Sequence, residues 1–183
     1  GWYQTEGATP KCTFAELARQ ARNFQRDRII GVYRCGTECL PGLEGPALYL
    51  WQRLCEEPGL PEQEILQHYY QQAFGKAAPQ MEKFYQTLDQ RLALELSTQS
   101  NHRDWNDPEL LSGKRTGYEN FQLLALRFPD PVLAELEAQL SAAEAAATDG
   151  NPAIRHSTRL EFNYLKLTCG AVNAYLQLLE SGT

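Results

Sequence analysis

Pro46-Ala47-Leu48-Tyr49-Leu50-Trp51-Gln52-Arg53-Leu54-Cys55 is the stretch on which the fold turns. A proline at the first position of a helix costs nothing, because its missing N–H would have had no partner there. Behind it, Ala47, Leu48, Leu50, Trp51, Leu54 and Cys55 are apolar on nearly every side, which predicts a deeply buried helix. Glu57-Pro58-Gly59 stops it. Pro61 opens the next helix, with Glu62 and Glu64 in the first turn, where they complement the helix dipole. Its face is Ile65, Leu66, Tyr69, Tyr70 and Ala73, and Gly75 ends it. A further helix from about 78 to 96 runs on Met81, Phe84, Tyr85, Leu88 and Leu92.

Downstream, residues 99 to 117 are polar and irregular, and a short helix is expected around Tyr118 to Leu126. Asp130-Pro131 reads as a cap followed by a first-turn proline, starting a helix on Leu133, Leu136, Leu140, Ala143 and Ala147. Asp149-Gly150-Asn151-Pro152 is a tight turn. The last helix carries Ile154, Thr158, Phe162, Leu165, Cys169, Val172, Leu176 and Leu179 in one stripe, and the short turn predicts an antiparallel hairpin of the last two helices.

Upstream the pattern differs. Thr13 with Glu16 forms a capping-box signature, and Phe14, Leu17, Ala18, Ala21 and Phe24 predict a helix over 14–26. Arg28-Ile29-Ile30-Gly31-Val32-Tyr33 is short, apolar and β-branched, and reads as a buried strand. With Trp2-Tyr3 as an earlier strand, residues 1–45 read strand, helix, strand. The expected fold is therefore mainly α, a short N-terminal βαβ-like piece over 1–45 followed by an antiparallel helical bundle over 46–183.

Bulk properties set limits on function. The chain has 183 residues, 43% apolar and 22% charged, in the range of an ordinary globular protein. A formal charge of −6 disfavours nucleic acid, which needs clustered Lys and Arg, and no apolar run reaches the ~20 residues that span a bilayer. Neither nucleic acid nor membrane is expected as a partner. The first residues, Gly1-Trp2-Tyr3, show neither a start methionine nor a signal peptide, so the chain reads as processed or cut from something longer. Cysteines at 12, 35, 39, 55 and 169 have no framework spacing, and each is expected as a free, buried, unreactive thiol of a reducing, cytoplasmic compartment. Cys35 and Cys39 lack a second pair or histidines at ligand spacing, so no metal is expected. No Gly-Lys-Ser/Thr or GxGxxG is present, so no cofactor is expected either.

Functional groups of parallel α/β folds gather at the carboxyl ends of strands. Glu38 lies just past the proposed strand at 29–33, and Glu6 just past Trp2-Tyr3. The two carboxylates would serve as a glycosidase acid and base or hold sugar hydroxyls, or are ordinary solvent-facing loop glutamates, which the residues alone favour. Tyr33 and Arg34, at the end of the same strand, are further substrate-facing candidates. His68 beside the aromatic face of 61–74 reads as a boundary residue with one hydrogen bond, and His102-Arg103-Asp104-Trp105 as a surface turn. His156 has no ligand partner near it in sequence. A pocket lined by Trp51, Tyr69 and Tyr85 is a further way for such a bundle to bind a ligand.

The ordered series Pro46 to Leu54, Glu56-Glu57-Pro58-Gly59-Leu60-Pro61, Ile65-Leu66, Tyr69-Tyr70, Phe74-Gly75-Lys76-Ala77-Ala78 and Phe84-Tyr85 resembles the C-terminal part of glycoside-hydrolase-like (β/α)8 barrel proteins, distantly similar to α-glucuronidases and β-N-acetylhexosaminidases. Ile30-Gly31-Val32-Tyr33 is similar to that family's last barrel strand, and Asp130-Pro131 through Arg159-Leu160-Glu161 to its closing helical hairpin. A whole barrel needs ~250 residues, so the resemblance implies a C-terminal segment that braces a barrel found mostly elsewhere. It further implies carbohydrate as the parent enzyme's ligand, and self-association or the remaining barrel as a partner for the strand edge. The alternative is a stand-alone, non-catalytic helical interaction or ligand-binding module.

Overall fold

A computed structural model describes residues 9–10, 12–31, 41–94 and 118–181, and these are mainly α-helical, with no strand among them. Helix α1 spans Phe14–Arg26. Its capping box forms as the sequence predicts: Glu16 N donates to Thr13 Oγ1 at 3.2 Å, and Thr13 N donates to the Glu16 carboxylate at 2.9 Å. The Phe14 amide finds its acceptor 75 positions away, in the Asp89 carboxylate at 2.7 Å. Burial holds the Asp89 carboxyl above the usual carboxylate range, against the pull of that amide.

The expected buried strand after α1 is corrected over the residues described. Arg28 N donates to Gln25 O at 3.0 Å and Ile29 N to Phe24 O at 2.9 Å, while Arg28 takes a left-handed φ of 56°. These two bonds close α1 with a Schellman motif. The Ile29 amide is thereby committed to the helix end, and Ile29 and Ile30 stand 50% and 104% exposed. Val32 and Tyr33, like Trp2-Tyr3, lie outside the described residues.

Helices α2 (Gly45–Glu56), α3 (Glu62–Phe74) and α4 (Ala78–Leu92) follow, the last two joined by one 3₁₀ turn at Gly75–Ala77. Pro46 takes the first turn of α2 as expected. The helix is less buried than its composition predicts, because only Pro46, Ala47, Leu50 and Leu54 are buried and Cys55 faces water. Helices α5 (Tyr118–Arg127), α6 (Asp130–Ala146) and α7 (Pro152–Ser181) complete the described chain. Asp130 is the first residue of α6 rather than its cap, and its carboxylate accepts from Asn173 Nδ2 at 3.2 Å.

Consecutive helices pack α1 on α2, α2 on α3 and α3 on α4, and α6 then returns against α4. Helices α6 and α7 are antiparallel, as their cross-links show. Glu144 pairs with Arg159, Glu137 with Lys166 and Asp130 with Asn173, one number falling as the other rises. The turn between them is fixed from both sides. Lys76 N donates to Asp149 Oδ1 at 2.8 Å, and Asn151 N to Ala73 O at 2.8 Å. Gly150, at φ 82°, has no room for a side chain, since a Cβ would stand 2.7 Å from the Phe74 carbonyl carbon.

Two apolar clusters result. The larger centres on Phe74, Phe84, Tyr85, Phe128, Leu136, Phe162 and Leu165, from α3 to α7. The smaller joins Ala18, Ala21, Leu50, Leu54 and Ile65 of α1, α2 and α3, with Phe14 and Leu66 packed against both.

Candidate functional site

The densest polar arrangement at the core surrounds residues 42–45, where the chain enters α2. Glu161, on α7, projects its carboxylate at this turn. Oε1 accepts from Gly42 N at 2.9 Å and Oε2 from Leu43 N at 2.7 Å. Thr158, one turn back on the same helix, bonds to Ile154 O at 2.9 Å and to Gly42 O at 3.3 Å. Tyr85 Oη, from α4, donates to Gly42 O as well. Both faces of one peptide segment are thus held by two helices more than forty and a hundred positions away in sequence.

The close approach dictates residue types. A Cβ at residue 42 would overlap the Thr158 backbone, and one at residue 45 would overlap the Tyr69 hydroxyl. Backbone crowding leaves room for glycine alone at 42, whereas a side chain at 45 would have to displace the Tyr69 ring. Gly42, Leu43 and Glu44 are all buried.

Burial sets the electrostatics. It raises the Glu161 carboxyl above its ordinary value, opposed by the two amides it accepts from. It pushes Tyr69 up to about 12, with the Glu161 charge adding to the effect. Tyr85, fully enclosed, is held well above the usual phenol range for the same first reason. These phenols stay neutral donors at any ordinary pH. A carboxylate with both oxygens engaged by backbone amides has its best acceptor positions filled. Each oxygen uses one acceptor position on a backbone amide, so the carboxylate ties α7 to the turn.

Aromatic rings continue outward from this turn. Tyr85 stacks on Tyr70, with centroids 5.6 Å apart, and Tyr69 meets Phe74 edge-on at 6.1 Å. Tyr49 lies 5.5 Å from Tyr69 and stacks on His68, with its hydroxyl 2.8 Å from His68 Nδ1. His68 is exposed with that one hydrogen bond, the boundary role read from its position. Tyr70 differs: its hydroxyl is buried and has no hydrogen-bond partner among the described residues.

Of the sequence candidates, Glu6, Tyr33, Arg34 and Glu38 lie outside the described residues, as do Cys35, Cys39 and His102-Arg103-Asp104-Trp105. The trio Trp51, Tyr69 and Tyr85 is not brought together as one lining. Trp51 packs on the smaller cluster and donates Nε1–H to Gln20 at 3.1 Å, whereas Tyr85 is sealed in the larger one. The expectation of buried thiols holds for Cys169, which burial pushes up to about 12, and fails for exposed Cys55. Among the described residues, no three His, Cys, Asp or Glu side chains gather as a metal site would require, and no helix is long and apolar enough to cross a membrane.

Sequence reasoning quoted Glu161 only within a longer helical match and missed its role. One signal was present: Thr158 is a polar residue inside an otherwise apolar stripe, and Glu161 sits beside that stripe. A buried polar side chain such as Thr158 needs a partner, and here the partner is a backbone turn.

Compared with protein-family models, curated proteins and solved structures, the chain matches none of them.

Proposed function

We propose that this chain is a non-catalytic helical buttress, whose work is to fix the segment that enters it at residues 41–45. The observation carrying this reading is the Glu161 carboxylate, which spends both oxygens on the Gly42 and Leu43 amides. A carboxylate held at both oxygens by one turn is fixed in place, which suits it to anchoring. Glu38 and Arg34 lie four and eight positions before Gly42, so the clamp would set where the segment bearing them ends.

The resemblance to glycoside-hydrolase-like barrels extends the proposal: the object braced is a carbohydrate-acting barrel, with Glu6, Glu38, Tyr33 and Arg34 as its substrate-facing contribution. That extension rests on the ordered series from Pro46 to Tyr85, and the exposed Ile29 and Ile30 weigh against a closing barrel strand within the chain itself.

Two measurements test the buttress. In hydrogen exchange, Glu161→Gln should lower the protection of the Gly42 and Leu43 amides at least tenfold, while α4 keeps its own. Incubated with aryl glucuronides and aryl N-acetylglucosaminides, the wild-type chain should release no aryl group. Unchanged protection in the variant would remove the clamp, and sustained turnover would remove the non-catalytic reading.

A further inference from the structure

Helix α7 carries two apolar faces. The first, through Phe162, Leu165, Cys169 and Val172, is buried in the core. The second runs through Leu160, Tyr164, Leu167, Ala171, Ala174 and Leu178, all exposed, with Leu160, Tyr164, Leu167 and Leu178 at 54%, 56%, 74% and 58%. At 3.6 residues per turn the two faces lie roughly 160° apart, so the second is directed away from the molecule. Its steps are four, three, four, three and four residues, the alternation of a coiled-coil seam, sustained over ~27 Å of helix.

We propose that this seam is where two copies of the chain associate, through an antiparallel pair of α7 helices about a two-fold axis near residue 169. The argument for a second copy is size matching. In an antiparallel pair each seam position faces the one at equal distance across the axis. Tyr164 then faces Ala174 of the other copy, Leu167 faces Ala171, and Leu160 faces Leu178. The two central layers each set a large side chain against a small one, the arrangement that fills a helix interface without voids. A parallel pair would instead stack Tyr164 on Tyr164 and leave two adjoining layers of alanine.

Charge agrees with self-pairing. Between Leu160 and Leu178 the charged residues are Glu161 and Lys166. Glu161 is engaged by the Gly42 and Leu43 amides and Lys166 by Glu137, both on the copy's own surface. The positions flanking the seam, Asn163, Thr168, Gly170, Tyr175 and Gln177, are uncharged, so two copies of a chain with net charge −6 meet here without like-charge repulsion.

Sedimentation velocity of the full chain from 1 to 100 µM tests this, with far-UV circular dichroism to confirm that each variant is folded. The wild type should reach twice the chain mass within that range. Leu167→Glu, on an exposed position, should weaken the dimer at least a hundredfold with helicity unchanged, and Tyr164→Lys serves if that variant does not fold. Ala174→Leu separates the orientations: it overfills the layer against Tyr164 and should weaken an antiparallel dimer about tenfold, whereas it would fill a void in a parallel one and tighten it. A monomeric wild type at 100 µM would overturn the proposal. A dimer indifferent to Leu167→Glu would place the interface elsewhere. Tightening by Ala174→Leu would overturn the antiparallel register.

Discussion

Tyr70 and Tyr85 stack nearly parallel, with an interplanar angle of 13°, and both are buried, yet their hydroxyls have opposite standing. Tyr85 Oη donates to Gly42 O and lies 3.3 Å from Thr158 Oγ1, while the Tyr70 hydroxyl has no partner among the described residues. Burying a hydroxyl without a partner costs free energy that a partnered one recovers. Removing the oxygen alone should therefore separate the two sites. Tyr85→Phe is expected to lower unfolding stability by ~0.5–1.5 kcal/mol, and Tyr70→Phe to leave it unchanged or raise it by up to ~1 kcal/mol. Urea unfolding followed by circular dichroism measures both. A loss in Tyr70→Phe equal to that in Tyr85→Phe would mean that the Tyr70 oxygen is satisfied and that the asymmetry at this stack does not exist.

At the scale of elements, the helix ends carry the information that composition hides. Helix α1 closes on a Schellman motif with arginine, not glycine, in the left-handed position, and this is why Ile29-Ile30 reads as a strand in sequence and stands in water in the fold. The turn between α6 and α7 shows the opposite case, for Asp149-Gly150-Asn151-Pro152 announces itself, and the Asn151 side chain caps α7 by accepting from Ala153 N at 3.0 Å. These two sites should answer to substitution with opposite signs. Arg28→Gly relieves a left-handed backbone and is expected to add ~0.5–1 kcal/mol of stability, offset in part by the freedom glycine gives the unfolded chain. Gly150→Ala meets both the φ of 82° and the backbone of Phe74, and is expected to cost ~1–3 kcal/mol. Thermal unfolding of the two variants beside wild type decides the matter. A stabilising Gly150→Ala would show that this turn is not held against α3.

Over the whole molecule, what was legible in sequence follows the range of the interaction. The seven described helices, α2 from Pro46 and α5 near Tyr118 included, could be drawn from periodicity, first-turn prolines and caps, because all of these depend on residues within a turn of each other. The clamp at residues 42–45 could not, since Glu161 and Gly42 are 119 positions apart and the one local hint, polar Thr158 in an apolar stripe, does not name its partner. The same distinction bears on stability. The larger cluster ties α3, α4, α6 and α7 through many long-range contacts, whereas the smaller holds α1 with five buried side chains from three helices. Beyond those, α1 is tied to the rest by the Phe14 amide on Asp89, the Trp51 indole N–H on Gln20 at 3.1 Å and an exposed Arg22–Glu62 pair at 2.6 Å. An exposed pair of that kind contributes at most ~1 kcal/mol. Local opening follows the density of buried apolar contact, so α1 should open before the core does. In native-state hydrogen exchange, amides of 17–26 are expected to exchange at least a hundredfold faster than those of 81–92 and 158–172, with a weaker dependence on denaturant. Leu50→Ala should widen that gap by loosening α1 alone, and Phe162→Ala should narrow it by lowering the protection of the core. Equal protection across α1 and α4 in the wild type would mean that the two clusters unfold as one, with the Phe14–Asp89 bond and the shared side chains of Phe14 and Leu66 sufficient to couple them.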